Sequence, residues 1–240
     1  MNPWIVIQAR RGSSRLPDKV IAPLGASTVL EYVIRRCRMS RRAAGVMLAT
    51  TTAERDTAVA EIAHTLGVPV FRGSEPDVLA RYVGAAEMVG AQHIVRITAD
   101  CPLVDPAAID LAVDAYGDSI DAIFVEGYPN GLGDVDFATF AALREVLEIT
   151  TPDETYYREH VTSYFAKNRG RFRVATVMAP DVVRRPEIRL SVDEQPDLDV
   201  VRLVAEHFSP RLDFTSREVI DFLDRHPEIA AINGHVRQRR

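Results

Sequence analysis

Short apolar runs alternate with amphipathic segments along the first half of the chain. Trp4 to Ile7 is a short apolar run that ends in polar and glycine residues, whereas Thr28 to Arg38 places apolar side chains at helical spacing. The same alternation predicts further strands over residues 45–50, 68–71 and 93–98 and helices over residues 54–66, 78–89 and 106–116. Such alternation is typical of an α/β fold with a mostly parallel sheet flanked by helices.

The second half continues this alternation around one irregular segment. A strand is predicted at 121–126, and residues 127–136 after it are rich in turn formers. The remaining predicted elements are helices over 140–148, 155–168, 197–207 and 216–224, strand-like runs over 172–178 and 188–192, and a frayed basic tail at 237–240. No composition break or low-complexity tract divides the 240 residues, so we predict a single domain over residues 1–240.

The composition limits the partners that the chain can have. The 29 lysines and arginines are outnumbered by 34 acidic residues, giving a formal net charge of −5 and no basic excess of the kind expected for a dedicated nucleic-acid binder. The apolar start, Met1 to Ile7, is too short for a signal peptide or a membrane span and is followed by arginines. We therefore expect no nucleic-acid or membrane partner and a cytoplasmic location. Cys37 and Cys101 lack the spacing of a zinc site or a disulfide framework.

A cluster of cations follows the first predicted strand. Residues 8–19, Gln-Ala-Arg-Arg-Gly-Ser-Ser-Arg-Leu-Pro-Asp-Lys, contain four cations, one glycine and two serines. Gly12 permits close backbone approach, the serines can donate hydrogen bonds, and the cations can neutralise phosphate oxygens. The loop is therefore a candidate polyphosphate cradle, with a solvated basic loop as the alternative. It matches neither the Walker pattern nor the glycine-rich dinucleotide pattern, which disfavours kinases and nicotinamide enzymes.

This loop is the first of several motifs that follow one another along nearly the whole chain. They are Gln8-Ala-Arg-x-Gly-Ser-x-Arg-Leu-Pro-x-Lys19, Leu48-Ala-Thr-Thr51, Phe71-Arg-Gly-Ser-Glu-Pro-Asp-Val-Leu-Ala-Arg-Tyr82, Arg96-Ile-Thr-Ala-Asp-Cys-Pro-Leu103, Arg158-Glu-His-Val-Thr162 and Leu190-Ser-Val-Asp-Glu194. Together they resemble the CMP-sugar synthetases, which include the 3-deoxy-manno-octulosonate and acylneuraminate cytidylyltransferases, and most of all their spore-coat-polysaccharide-type relatives. The resemblance implies a Rossmann-like nucleotidyltransferase domain that uses CTP and Mg²⁺ to transfer CMP to a small anionic acceptor, releasing pyrophosphate.

Two acidic residues are candidate metal ligands. Asp100 follows a predicted strand, at the crevice where a triphosphate-bound magnesium would lie, and hard cations prefer carboxylate and phosphate oxygens. The resemblance implies that Asp193, in the late Val-Asp-x-x-x-Asp-Leu motif, joins Asp100 as a metal ligand. Asp100 and Asp193 could each instead cap the start of a helix, because aspartates often cap helices that begin at prolines. Asp105 suits that capping role better than Asp100 does.

The resemblance also implies roles for other residues. The predicted catalytic residues are Arg10, Arg15, Lys19 and Asp100, with the three cations on the β- and γ-phosphates. The predicted nucleotide-binding residues are Ala9, Gly12, Ser13, Ser14, Thr50, Thr51, Ser74, Asp77 and Arg81. The predicted acceptor-binding residues are Asn130, Asp134, Asp136, Arg158, Glu159 and His160.

Several of these residues also have purely structural explanations. Threonines 50 and 51 suit the end of a strand, Arg81 suits an exposed helix position, and His160 suits a packing position on a helix. The chain departs from its spore-coat-type relatives where Ala99 replaces a usual glycine and where Gly131-Leu-Gly-Asp-Val-Asp136 replaces Gly-Leu-Asp-Val-Glu. The acceptor is therefore left open between a 2-keto sugar acid and a smaller acid such as a phosphonate.

Two other functions stay open. A nucleotide-sugar glycosyltransferase also combines an α/β nucleotide fold with metal-bound carboxylates, although the early loops lack an Asp-x-Asp triplet. A catalytically inactive nucleotide-binding regulatory protein would keep the fold without turnover. By resemblance we also expect a homodimer, with an insertion at about residues 128–168 that serves the acceptor side and dimerisation.

Overall fold

A seven-stranded mixed sheet forms the centre of the molecule. The structure is a computed structural model and describes residues 2–117 and 119–237. In spatial order its strands are β5 (Val70–Gly73), β4 (Gly45–Thr51), β1 (Trp4–Gln8), β6 (His93–Thr98), β8 (Asp136–Thr139), β7 (Ala122–Glu126) and β9 (Val174–Met178). All neighbouring pairs are parallel except those that involve β8, which runs antiparallel to β6 and β7. The prediction of a mostly parallel sheet flanked by helices is confirmed.

The helices cover both faces of this sheet. They are α1 (Val29–Cys37), α2 (Thr57–Thr65), α3 (Val78–Met88), α4 (Pro106–Asp114), α5 (Phe140–Ile149), α6 (Thr155–Glu159), α7 (Ser163–Lys167), α8 (Gln195–Phe208), α9 (Ser216–Arg225) and α10 (Pro227–Ala231). Along β1, Ile5 and Ile7 join one hydrophobic cluster and Val6 joins the other, because successive side chains of a strand point to opposite faces. Within the described residues, no helix combines the length and apolar character needed to cross a bilayer.

The predicted capping role of Asp105 is confirmed. Its Oδ1 accepts a hydrogen bond of 2.9 Å from the backbone N–H of Ala107, and Pro106 occupies the first turn of α4. Its Oδ2 accepts from the backbone N–H of Ser216 at 2.8 Å and from the Ser216 hydroxyl. One buried carboxylate therefore starts α4 and ties it to the beginning of α9.

Some predicted elements differ from the observed ones. The turn-rich segment ends in β8, which the pattern did not predict, and the helix predicted over 155–168 is two short helices, α6 and α7. The strand predicted over 188–192 makes only a single bridge, between Asn130 and Arg189. The hairpin β2 (Pro23–Leu24) and β3 (Ser27–Thr28) and helix α10 were also not predicted. Residues 238–240 of the basic tail lie outside the described part of the chain.

The segment predicted as a dimerisation insertion is partly built into the sheet. Its strand β8 lies between β6 and β7, with Asp136 opposite Arg96 and Phe137 opposite both Val95 and Ile123. Phe137 is fully buried. Part of this segment is therefore an interior component of the core rather than an appendage.

Candidate active site

An open cleft of about 330 Å³ lies beyond the carboxyl ends of β1 and β6. It is lined by Gln8, Ala9, Arg10, Gly12, Ser13, Ser14, Arg15, Lys19, Val20, Arg81, Arg96, Thr98, Ala99, Asp100, Glu159, His160 and Asp193. Parallel strands bring their following loops to one edge of a sheet, which explains why these distant residues meet. The loop after β4 does not line the cleft but supports it, since Asp56 accepts a hydrogen bond of 2.7 Å from the backbone N–H of Arg11.

The basic loop after β1 is held in place by its own side chains. Arg11 forms a two-pronged ion pair with Asp18 at 2.7 and 2.8 Å, and this guanidinium lowers the pKa of the Asp18 carboxyl. Asp18 has a positive φ of 60° at the start of a 3-10 turn that begins at Lys19. Arg11 thus shapes the loop, whereas Arg10, Arg15 and Lys19 line the cleft.

Lys19 joins the two predicted metal ligands. Its Nζ donates to Asp100 Oδ2 at 2.9 Å, to Asp193 Oδ1 at 3.0 Å and to the Val192 carbonyl at 2.6 Å. Burial of the ammonium opposes its charge, but the two carboxylates outweigh that effect and raise the pKa of Lys19. Three oxygens therefore converge on one cation, although Asp100 and Asp193 are far apart in sequence.

Asp193 is also fixed by two arginines. Arg15 approaches its Oδ1 at 2.8 Å, and Arg189 donates to its Oδ2 at 2.7 Å. Arg189 also binds the fully buried Asp197, which in turn accepts the backbone N–H of Asp193 and the side-chain amide of Asn233. Burial of the Asp193 carboxyl would favour its neutral form, but the surrounding cations prevail and lower its pKa.

Arg10 lies on the opposite side of the loop between two acidic residues. Its guanidinium approaches Glu75 at 3.4 Å and Glu159 at 3.6 Å. Glu75 also pairs with Arg55, and the distance from Arg10 to both carboxylates is longer than in a tight hydrogen bond. The guanidinium of Arg10 is therefore positioned but only loosely bound.

The predicted nucleotide-binding residues fall into two groups. Ala9, Gly12, Ser13, Ser14 and Arg81 line the cleft. Thr50, Thr51, Ser74 and Asp77 do not, and most of them have structural duties that account for their positions. Asp77 caps α3 by accepting from the N–H of Ala80 at 2.9 Å, and Thr51 donates to Asp56.

Arg81 was weighed as an exposed helix cation, which is wrong. Only 1 % of its surface is exposed, and it donates to the backbone carbonyls of Ser74 and Glu75. Its guanidinium therefore holds the loop between β5 and α3 against the cleft.

Two of the predicted acceptor-binding residues, Glu159 and His160, line the cleft, and four do not. Arg158 is buried and donates to Asp77 at 2.8 Å and to the carbonyls of Leu147 and Thr150. The structure thus uses Arg158 to join α6 to α3 and to the end of α5. Its acceptor role stays a prediction, because Arg158 does not line the cleft.

The other two positions lie in the loop before β8 and in β8 itself. Asp134 accepts from the backbone N–H of Gly131 and from the Asn130 amide at 3.2 Å, and burial raises the pKa of the Asp134 carboxyl to about 6. Asp136 accepts from Arg96 at 3.0 Å and from the Thr162 hydroxyl at 2.6 Å. Asn130, Asp134 and Asp136 therefore shape the wall behind the cleft.

Sequence reasoning missed Gln8, Arg96 and Thr98 as cleft residues. Gln8 ends β1 and pairs with Thr98, the last residue of β6, in the parallel ladder. The signal was available, because these polar residues interrupt buried strands at their carboxyl ends. Arg96 lies two residues earlier than Thr98, so its side chain points to the same face of the sheet.

Neither cysteine lines the cleft, although the Cys101 thiol donates to Asp100 Oδ1 at 3.7 Å. Both cysteines are buried. Burial raises the pKa of the Cys37 thiol to about 12, and it also raises the pKa of the Cys101 thiol. A buried thiol of this kind is rarely ionised at neutral pH.

Comparison with known proteins gives a consistent result. The model of the cytidylyltransferase family matches residues 4–219. The chain is 34% identical over 231 residues to the spore coat polysaccharide biosynthesis protein SpsF of Bacillus subtilis, covering 94% of this chain and 95% of SpsF. It is 40% identical over 119 residues to the 3-deoxy-manno-octulosonate cytidylyltransferase of Chlorobaculum tepidum, covering 48% and 46% of the two chains. A solved cytidylyltransferase from Leptospira borgpetersenii aligns with a TM-score of 0.88 at 30% identity, covering 96% of this chain and 97% of that one.

These similarities agree with the geometry of the cleft. The family model spans all the residues that line it, from Gln8 to Asp193, and the similarity to SpsF extends over most of both chains. The resemblance seen in the ordered motifs is thereby confirmed, and nothing in these findings favours a glycosyltransferase. The chain belongs to the cytidylyltransferase family and is an enzyme of the CMP-sugar synthetase type.

Proposed function

We propose that this enzyme transfers CMP from CTP to a small anionic acceptor, with magnesium and with release of pyrophosphate. The observation that carries the proposal is the meeting of Lys19, Asp100 and Asp193 beside the basic loop. A cation held by two carboxylates next to further arginines suits a site for a triphosphate and its metal. Family membership supports CTP as the nucleotide.

The cations of the first loop are suited to the β- and γ-phosphates. Arg10, Arg15 and Lys19 all line the cleft, and Gly12 lets the backbone approach a ligand without a side chain in the way. A Cβ on Gly12 would lie 3.2 Å from Glu75 and 3.3 Å from Arg55, so even a methyl group would press on the neighbouring ion pair. Each cation would exchange a carboxylate partner for phosphate oxygens when the nucleotide binds.

The residues present also fit a magnesium ion. The ammonium of Lys19 marks a position where Asp100 and Asp193 can share one cation. The described residues contain no group of three or more His, Cys, Asp or Glu side chains placed to bind a metal, so a metal here would take its other ligands from the triphosphate and water. Bound there, magnesium would offset negative charge on the phosphates during displacement.

The reaction is a single displacement at phosphorus. An acceptor hydroxyl oxygen attacks the α-phosphorus, a new P–O bond forms, the bond to the bridging oxygen breaks, and pyrophosphate leaves. His160 lines the cleft, and burial lowers the pKa of its imidazole, so it is neutral near pH 7 and able to receive the proton of the acceptor. Positioning and charge stabilisation supply most of the catalysis.

Pyrophosphate release tests this function. The assay offers each of the four common nucleoside triphosphates with magnesium, together with a panel of 2-keto sugar acids and small phosphonates. We expect release with CTP and one acceptor, and no release from the Asp100→Asn variant. Binding of CTP without release from any acceptor would favour the inactive regulatory protein, and absence of binding by any triphosphate would reject the proposal.

We also propose that the enzyme is a homodimer formed through residues 128–168. Support comes from Tyr156, an aromatic side chain that is 43% exposed and packs at a tilt against His160, with ring centres 4.7 Å apart, next to the cleft. Light scattering after gel filtration measures the mass directly. A monomer mass at working concentration would reject the dimer without affecting the proposed reaction.

A further inference from the structure

An anionic acceptor needs a cation that the nucleotide does not use. Arg158, the predicted candidate, is 7 % exposed and bound to Asp77 and to two backbone carbonyls. Freeing it would leave the half-buried Asp77 carboxylate and the Leu147 carbonyl without this donor, and would leave the buried Thr150 carbonyl without it at a cost of about 1–3 kcal/mol. The acceptor charge must therefore be met by another side chain of the cleft.

Arg96 lines the cleft and has an N–H group that could donate a hydrogen bond to an acceptor. It lines the cleft together with His160 and Glu159, near the end of β6 and apart from the basic loop. Its Nη1 binds Asp136 at 3.0 Å, its buried Nε has no hydrogen-bond partner, and its Nη2 makes no hydrogen bond within the described residues. Its Nη2 is therefore free to bind a ligand, while its buried Nε lies behind it without a partner.

The orientation of the Arg96 side chain is fixed by its ion pair with Asp136. Arg96 and Asp136 are opposite each other in the β6–β8 ladder, and the Thr162 hydroxyl donates to the same Asp136 oxygen at 2.6 Å. Burial opposes the charge of Arg96, but Asp136 outweighs it and raises the pKa of the guanidinium. Asp136 and Thr162 thus act as positioning residues that keep Arg96 charged and aimed at the cleft.

Gln8 offers a second group beside it. Its side-chain Oε1 is buried without a hydrogen-bond partner, and its amide makes no hydrogen bond with the described residues. An unpaired amide in a cleft is costly unless a ligand completes it. On the neighbouring strands β1 and β6, Gln8 and Arg96 lie on the same face of the sheet.

We propose that Arg96 binds the negative charge of the acceptor and that this charge is a single carboxylate. One edge of the guanidinium is already paired with Asp136, so the remaining charge matches a monoanion better than a doubly charged phosphonate. The planar fork of the guanidinium also matches the two oxygens of a carboxylate. This inference rests on the proposed function and adds to it the residue that recognises the acceptor.

The test uses pyruvate as a small 2-oxo acid with one carboxylate and methylphosphonate as a ligand of similar size that can carry two negative charges. Saturation-transfer NMR measures binding of each to the full chain with CTP and EDTA, so that no turnover occurs, and calorimetry measures CTP binding separately. The main variant is the double substitution Arg96→Gln with Asp136→Asn, which removes both charges and leaves no unpaired buried ion. Arg96→Lys keeps the charge without the fork, and Arg144→Gln, at an exposed arginine paired with Glu148, is the matched control.

We expect wild type and the control to bind pyruvate more tightly than methylphosphonate. The double variant should weaken pyruvate binding by about 10-fold or more, the usual range for a lost charge-assisted hydrogen bond, and keep its CTP affinity. The pyruvate affinity of Arg96→Lys should lie between those of wild type and the double variant. Unchanged pyruvate binding in the double variant, no pyruvate binding by a wild type that binds CTP, or a preference for methylphosphonate would overturn the inference. A wild type that does not bind CTP would instead reject the proposed function on which it rests.

Discussion

Asp100 and Asp105 lie in the same loop, and the structure assigns them opposite duties. Asp100 faces the cleft, where its carboxylate pairs with Lys19, while Asp105 is 5 % exposed and joins the starts of α4 and α9. Replacing each with alanine therefore separates catalysis from folding. We expect Asp100→Ala to lose turnover with little loss of stability, and Asp105→Ala to lose stability with little loss of turnover per folded molecule.

The size of the stability effects follows from the contacts. Asp105→Ala removes a helix N-cap, which costs about 1 kcal/mol, and leaves the buried N–H of Ser216 without an acceptor, which costs about 1–3 kcal/mol more. For a chain of this length that lowers the unfolding temperature by about 5–15 °C. Asp100→Ala removes one partly exposed ion pair worth roughly 0–1 kcal/mol, and Lys19 keeps its bonds to Asp193 and Val192.

The effect on turnover is expected to be the reverse. In the proposed reaction Asp100 places a metal against the reacting phosphate, so its loss would remove several kcal/mol of charge stabilisation. At 1.36 kcal/mol for each factor of ten, about 4 kcal/mol corresponds to roughly a 10³-fold lower rate for Asp100→Ala. Asp105→Ala makes no contact with the cleft, so its rate should stay within about 3-fold of wild type when it is folded.

Both quantities are measured on the same two variants. Unfolding is followed by circular dichroism, and pyrophosphate release is followed with CTP, magnesium and the acceptor identified for wild type. A rate for Asp100→Ala within 10-fold of wild type would refute the metal role of this carboxylate. An unchanged unfolding temperature for Asp105→Ala would refute the link that it makes between α4 and α9.

Three further predictions concern pH, backbone strain and the metal. Burial raises the pKa of Asp134 from 3.8 to about 6 in the folded chain, so the wild type loses stability as the pH rises from about 4, where the unfolded carboxyl ionises, to above 6, where the folded one does. The stability of Asp134→Asn relative to wild type should therefore increase from pH 4 to pH 7 in urea titrations, by roughly 1.4 kcal/mol for each pKa unit of the shift. Gly131 has a φ of +90°, and a Cβ there would collide with the Leu190 backbone, so Gly131→Ala should lower the unfolding temperature markedly. Gly170 has open space around it, so the control Gly170→Ala should leave the unfolding temperature unchanged. EDTA should abolish pyrophosphate release without lowering the unfolding temperature, because Lys19 already neutralises the two site carboxylates; a large drop in that temperature would contradict this arrangement.

The alternating pattern predicted the parallel part of the sheet because each of those strands is a short apolar run between amphipathic helices. The same reasoning failed at β8, whose four residues directly follow a turn-rich segment and lead into α5. A strand this short carries little periodic signal, and its antiparallel place between β6 and β7 depends on contacts distant in sequence. The helix predicted over 155–168 failed for a related reason, since residues 160–162 leave the helix where Thr162 bonds to Asp136.

The site residues that directly follow a strand could be predicted from the sequence. The residues whose roles depend on partners distant in sequence were harder to predict. The basic loop and Asp100 were placed correctly at the sheet edge from their position after β1 and β6. Arg158 was proposed for the acceptor because its motif resembled the family, but its contacts with Asp77 and the end of α5 cannot be read from spacing. Arg96 was overlooked although its place near the carboxyl end of β6 was a signal, because its partner Asp136 lies on a strand that the pattern did not predict.

The cleft is not a uniformly positive surface, because acidic side chains are paired with its cations. Acidic residues also outnumber basic ones in the chain as a whole. Each cation predicted to bind phosphate is paired with a carboxylate: Arg10 with Glu75 and Glu159, Arg15 with Asp193, and Lys19 with Asp100 and Asp193. These pairs hold long side chains in place before a nucleotide arrives, which reduces the entropy lost on binding. A triphosphate that takes over the cations would release Asp100 and Asp193 together, at the point where a metal is needed. In the proposed reaction, the same carboxylates would thus position the phosphate-binding cations before the nucleotide binds and hold the metal afterwards.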